Sequence, residues 1–248
     1  MLLGEPPPMQ GDLRFQIFGI PVRIHPFFWL VALLLGYRSG DPASVLIWVV
    51  ALFLSILVHE LGHAMAMRAY GFRPWITLYG LGGLTGCDQA YSHRSRGSES
   101  LGQILISAAG PAAGFLLAAL LLLGVVLAGH GENIFFGTPL GLTPVVWPQV
   151  TRIDELLNSV FFICVLWGLV NLLPIYPLDG GQIAREVLLN LSPRDGIRSS
   201  LTLSVLAAGA MALVGLVLWK SFFVTLMFGY LAYASFAALQ AYGGRNPW

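Results

Sequence analysis

His59, Glu60 and His63 lie within little more than one helical turn of each other, in a stretch, "VHELGHAM", that is otherwise almost wholly apolar. Histidines four apart share one face of a helix, with their rings about a turn apart, so both can hold a single metal ion. Glu60 follows His59 but is displaced around the helix, which lets its carboxylate reach a water at the metal rather than the metal itself. His-Glu-x-x-His is the spacing of a hydrolytic zinc site in which the glutamate is the general base. In lipid each ionisable group costs about 2.5–3.5 kcal/mol on insertion scales, so three together need a reason to be there. The bland alternative is a polar network that braces the helices without metal.

A catalytic zinc site takes three protein ligands and leaves a position open. Asp88, His93 and Glu99 are candidates for the third, as are His130 and Glu132 beyond the next apolar segment and Asp179 in "NLLPIYPLDGG", Asn171 to Gly181. His59 is 16 residues beyond Ala43, or about 24 Å from the outer end of its segment. That depth favours the side that carries Asp179. Two prolines and a glycine pair also free the backbone around this carboxylate. Asp179 is the expected third ligand; otherwise it would cap the helix that starts near Gly181.

The elements that position these residues are hydrophobic. Of 248 residues 56% are apolar and 10% charged, against about 25% charged in ordinary soluble domains. Six apolar segments emerge: His25–Tyr37, Ala43–Arg68, Leu101–Ala128, Leu156–Leu173, Leu201–Trp219 and Phe222–Ala241. Most reach or approach the ~20 residues that cross a bilayer core. The expected fold is an all-α polytopic membrane protein with six transmembrane helices. A small membrane-associated β-hairpin or re-entrant loop is expected near residues 72–86, where β-branched and aromatic residues are bracketed by glycines. Irregular backbone at membrane depth must be covered by protein or line a cavity. Gly110–Pro111 is expected to kink or thin the third segment where it packs beside the metal helix.

With the N-terminus in the cytoplasm, ten of the 13 basic residues fall on that side and only Arg38, Arg152 and Lys220 on the other. This bias places both termini in the cytoplasm. A net charge of +1 gives no reason to expect a nucleic-acid partner. Cys87 and Cys164 form no disulfide framework. "MLLGEPPPMQG" has neither a basic start nor an apolar core, so no signal peptide is expected there.

"HELGHAMAMRAYG" on a spanning helix, followed by "LGGLTG", "AAGPAAG" and "NLLPIYPLDGG", resembles the site-2 protease family of intramembrane zinc metalloproteases over about Phe15 to Gln182. The resemblance implies one Zn²⁺ on His59, His63 and Asp179, with Glu60 activating water. It also implies that Asn171 positions the substrate or stabilises the oxyanion. Gly114 departs from the pattern, because many members carry an asparagine there. The chain is expected to be a minimal form, without a PDZ or cystathionine-synthase-type domain. It would be a single membrane-embedded protease domain over 1–248, with its core at about 43–182 and extra helices at 201–219 and 222–241.

A substrate helix must unwind before cleavage, and an edge strand within Trp75–Thr85 could pair with it; Leu81, Gly82 and Gly83 are the candidate substrate-binding residues. Expected partners are transmembrane protein substrates, the lipid bilayer and regulatory membrane proteins, in a prokaryotic cell membrane. Three readings compete. One is another HExxH membrane metalloprotease, acting on prenylated or misfolded proteins. The second is a catalytically silent helix-binding scaffold, which would have no use for Glu60. The third is a transporter, which need not hold one zinc per chain.

Overall fold

A computed structural model describes residues 6–36, 41–80, 82–87, 100–130 (except the side chain of His130) and 151–243. The four strands are β1 Leu13–Ile17, β2 Ile20–Ile24, β3 Pro74–Tyr79 and β4 Gly82–Cys87. The helices are α1 Pro26–Gly36, α2 Pro42–Ala69, α3 Ser100–Val125, α4 Arg152–Asn171, α5 Asp179–Leu191, α6 Gly196–Val217 and α7 Phe222–Gly243. The chain falls into two compact units, Leu3–Ser95 with Ala109–Leu169 and Arg96–Ala108 with Val170–Trp248.

The first unit holds one sheet in the order β1-β2-β3-β4. β1 and β2 are antiparallel, β2 and β3 parallel, and β3 and β4 antiparallel, with Val22 opposite Ile76 and Leu78 opposite Gly83. A parallel pair needs a long crossover, and here α1 and α2 together supply it. β2 and β3 are therefore the central strands, and Ile20, Val22, Ile24, Ile76 and Leu78 are all buried. β3 and β4 pack against α2, and β3 also against α1. Asp41 caps α2 by accepting from the backbone N–H groups of Ala43 and Ser44, and Pro42 follows as its first residue. The Ser44 hydroxyl, which donates to Asp41 at 3.0 Å, is the main cause that holds this exposed carboxyl below its usual range.

The second unit is built on α5, α6 and α7 around Ile175, Ala208 and Phe228. The α6–α7 turn is tight. Lys220 adopts a positive φ of 48°, and Gly215 gives Val224 room for close approach.

One expectation is corrected, and the expected count of six crossings is matched at five helices. The fold is mostly helical but not all-α, because the hairpin near 72–86 is half of a four-stranded sheet whose other half is Leu13–Ile24. Those strands are only five residues each, and β1 is largely exposed, so neither carries a strong apolar alternation. Five described helices are long and apolar enough to cross a membrane. The sixth expected crossing falls on α1, whose 11 residues rise only about 16 Å against a hydrocarbon core of about 30 Å. Residues 37–40 after it lie outside the described set. Helix α5, between the fourth and fifth apolar segments, is too polar to register as a hydropathy peak.

Candidate metal centre

Helix α2 carries His59, Glu60 and His63, each buried to 4%, 5% and 7% exposure. The two imidazoles meet edge to face with ring centroids 4.8 Å apart. Their Nε2 atoms are 3.2 Å apart. Two nitrogens bound at about 2.0–2.1 Å to one tetrahedral zinc would stand about 3.3–3.4 Å apart, so the pair fits such an ion closely. His59 and His63 bring two metal-ligating nitrogens together on one turn of α2, and Asp179 belongs to the second unit. Two imidazoles with no thiolate are donors suited to catalytic zinc.

Three glycines let neighbouring backbone close on this turn. A Cβ at Gly110 of α3 would fall well inside 3.0 Å of the His63 Nε2, Cε1 and Cδ2 atoms. One at Gly62 would meet the Ala109 carbonyl and the Ala113 Cβ inside 3.0 Å, so α2 and α3 approach almost backbone to backbone. One at Gly83 of β4 would strike Glu60 Cγ, Cδ and Oε1 inside 3.0 Å. The expectation that small residues of the third segment crowd the metal helix holds at Gly110. Pro111 itself is accommodated within α3, which runs on to Val125.

Gly110→Ala is expected to displace the His63 ring and weaken zinc binding by at least about 10-fold, the lower range for disturbing a ligand's support. Gly114→Ala, one turn further along, should retain wild-type zinc, because its Cβ meets only the Cys164 carbonyl at 3.5 Å. Zinc titration of the two purified variants checks this; equal affinities would refute the claimed contact.

Glu60 is also held from β4. The Thr85 hydroxyl lies 2.7 Å from Glu60 Oε2 and 3.2 Å from the Glu60 backbone carbonyl. Thr85 was not singled out by sequence, since threonine is among the commonest strand residues. Gly82 passes 3.5 Å from the Trp167 ring, measured from an added Cβ. Among the described residues β4 pairs only with β3. Leu81, Asp88, His93, Glu99 and Glu132 lie outside the described residues.

In the second unit, "NLLPIYPLDGG" becomes a tight connection from α4 into α5. Asn171 is buried at the end of α4, and Asp179 opens α5. The first turn of a helix favours a negative charge. A Cβ at Gly180 would overlap the Leu172 and Leu173 carbonyls and one at Gly181 the Ile175 carbonyl, so the glycine pair is needed for α5 to fold back on its approach. Helices α6 and α7 hold the same connection: the Tyr176 N–H donates to Ser204 Oγ at 3.0 Å, and the Ser235 hydroxyl donates to the Tyr176 carbonyl at 3.2 Å.

Comparison with known proteins identifies the family. The chain is 28% identical over 204 residues to zinc metalloprotease MJ0392 of Methanocaldococcus jannaschii, covering 81% of this chain and 51% of that one. It is 32% identical over 189 residues to Rip3 of Mycobacterium tuberculosis, covering 70% and 42%. It thus spans about half the length of the curated relatives it matches. Its fold matches the solved structure of a site-2 protease from M. jannaschii with a TM-score of 0.55, at 23% identity, over 92% of this chain and 95% of that one. Residues 47–216 match peptidase family M50. The chain belongs to that family, the site-2 proteases.

Proposed function

We propose that the protein is an integral membrane zinc endopeptidase that hydrolyses peptide bonds within or next to transmembrane segments of other membrane proteins. The observation that carries this reading is the buried His59–Glu60–His63 turn on a 28-residue helix apolar enough to span a bilayer. His59, His63 and Asp179 would hold the metal. Zinc, when bound, supplies Lewis acidity, lowering the pKa of water to about 7 and polarising the scissile carbonyl.

The chain's own groups do the rest. Glu60 takes the proton of the attacking water and passes it to the leaving amine. Asn171 donates to the carbonyl oxygen as charge develops there. The substrate pairs in extended form with the outer edge of β4, with Leu81, Gly82 and Gly83 at the contact, so that its amides leave the helix before they are cut. Residues 43–182 form the catalytic core of one membrane-embedded protease domain, with α6 and α7 bracing the Asp179 connection. Both termini face the cytoplasm of a prokaryotic cell.

The test is cleavage of a model transmembrane substrate co-reconstituted with the full chain in liposomes. Product ends inside or beside the substrate's apolar segment are expected, lost on chelation with 1,10-phenanthroline and restored by added zinc. Cleavage that survives complete removal of the metal would overturn the reading.

A further inference from the structure

We infer that Thr85 is a positioning residue for the general base, and that strand β4 holds the Glu60 carboxylate in its working orientation; this rests on the proposed role of Glu60. Gly83 and Thr85 are two apart on β4 and so project to the same face of the strand. Both meet Glu60. The bare Cα of Gly83 makes room for Glu60 Cγ, Cδ and Oε1, and the Thr85 hydroxyl lies 2.7 Å from Oε2. A glutamate side chain has three rotatable bonds, and an unrestrained one samples several positions at a cost in reactive geometry. Here one face of the strand meets it at two points.

The Thr85 hydroxyl has one proton and two acceptors within reach, Glu60 Oε2 at 2.7 Å and the Glu60 carbonyl at 3.2 Å. The shorter contact has the ordinary length of an O–H···O hydrogen bond and is the one the hydroxyl proton serves. The bond ties Oε2 to β4 and so sets the orientation of the whole carboxylate. Because β4 is also the strand whose outer edge is proposed to receive the substrate, the element that orders the peptide also orders the base.

The test compares Thr85→Val, which keeps the shape and removes the hydroxyl, with Thr85→Ser, which keeps the hydroxyl. In Thr85→Val, kcat for the transmembrane substrate should fall about 10–100-fold, the scale of a 1 Å misplacement of a reacting group. KM and zinc per chain should be unchanged. Thr85→Ser should recover most of the lost kcat. The inference is overturned if Thr85→Val keeps wild-type kcat, if Thr85→Ser falls as far as Thr85→Val, or if zinc is lost with the hydroxyl. Glu60→Gln assayed in parallel separates the two claims: an inactive Glu60→Gln beside a fully active Thr85→Val sinks only the role of Thr85, whereas an active Glu60→Gln sinks the mechanism itself.

Discussion

Glu60→Gln is expected to lower cleavage of a transmembrane substrate by about 10²–10⁴-fold, the usual worth of a positioned general base, while zinc content stays at the wild-type level. The separation follows from geometry. Glutamine has the shape of glutamate, so it fits the space left by Gly83, and its carbonyl oxygen can still accept from the Thr85 hydroxyl. What it lacks is the ability to take a proton. His59 and His63 approach each other directly at 3.2 Å, so the ligand pair keeps its geometry when Glu60 becomes glutamine. Parallel kinetic and metal assays on the purified variant check the outcome. Wild-type turnover in a zinc-loaded Glu60→Gln would mean that another group takes the proton.

His63→Ala has the opposite signature: zinc and activity should disappear together. Disturbing an outer-shell partner of a metal ligand already costs about 10–100-fold in affinity, so removing a ligand should cost at least about 100-fold. The His63 ring is what meets the bare Cα of Gly110, so alanine removes that contact along with the ligand. The fold should survive, because the replacement exchanges a polar group for an apolar one in a helix suited to lipid. Metal analysis with circular dichroism tests both halves. A folded His63→Ala that keeps one zinc per chain would remove His63 from the ligand set.

Much of this site was legible in the sequence because its groups are in the wrong solvent. Three ionisable residues in an apolar helix are conspicuous, and the spacing of His59 and His63 alone brings their rings onto one face. The break at "NLLPIYPLDGG" was equally plain, since prolines and paired glycines end a helix for steric reasons that require no knowledge of neighbours. The glycines' partners were not legible. That Gly83 faces Glu60 and Gly110 faces His63 depends on which helix and strand lie against α2, and a missing side chain carries no label for what fills its place. β1 and β2 were hidden for a related reason. The pairing that makes β2 a central strand, Val22 with Ile76, spans more than fifty residues and is invisible to any local pattern. The start of helix α5 near Gly181 was legible from the glycine pair and Asp179, but its polar residues keep it from standing out in the hydropathy.

The central claim is that two imidazoles of one buried helical turn hold a catalytic zinc. X-ray absorption at the zinc edge on the purified full chain tests it most directly. One zinc per chain is expected, with two imidazole nitrogens and oxygen donors at about 2.0–2.2 Å. A sulfur shell at about 2.3 Å, or a single imidazole, would contradict the account.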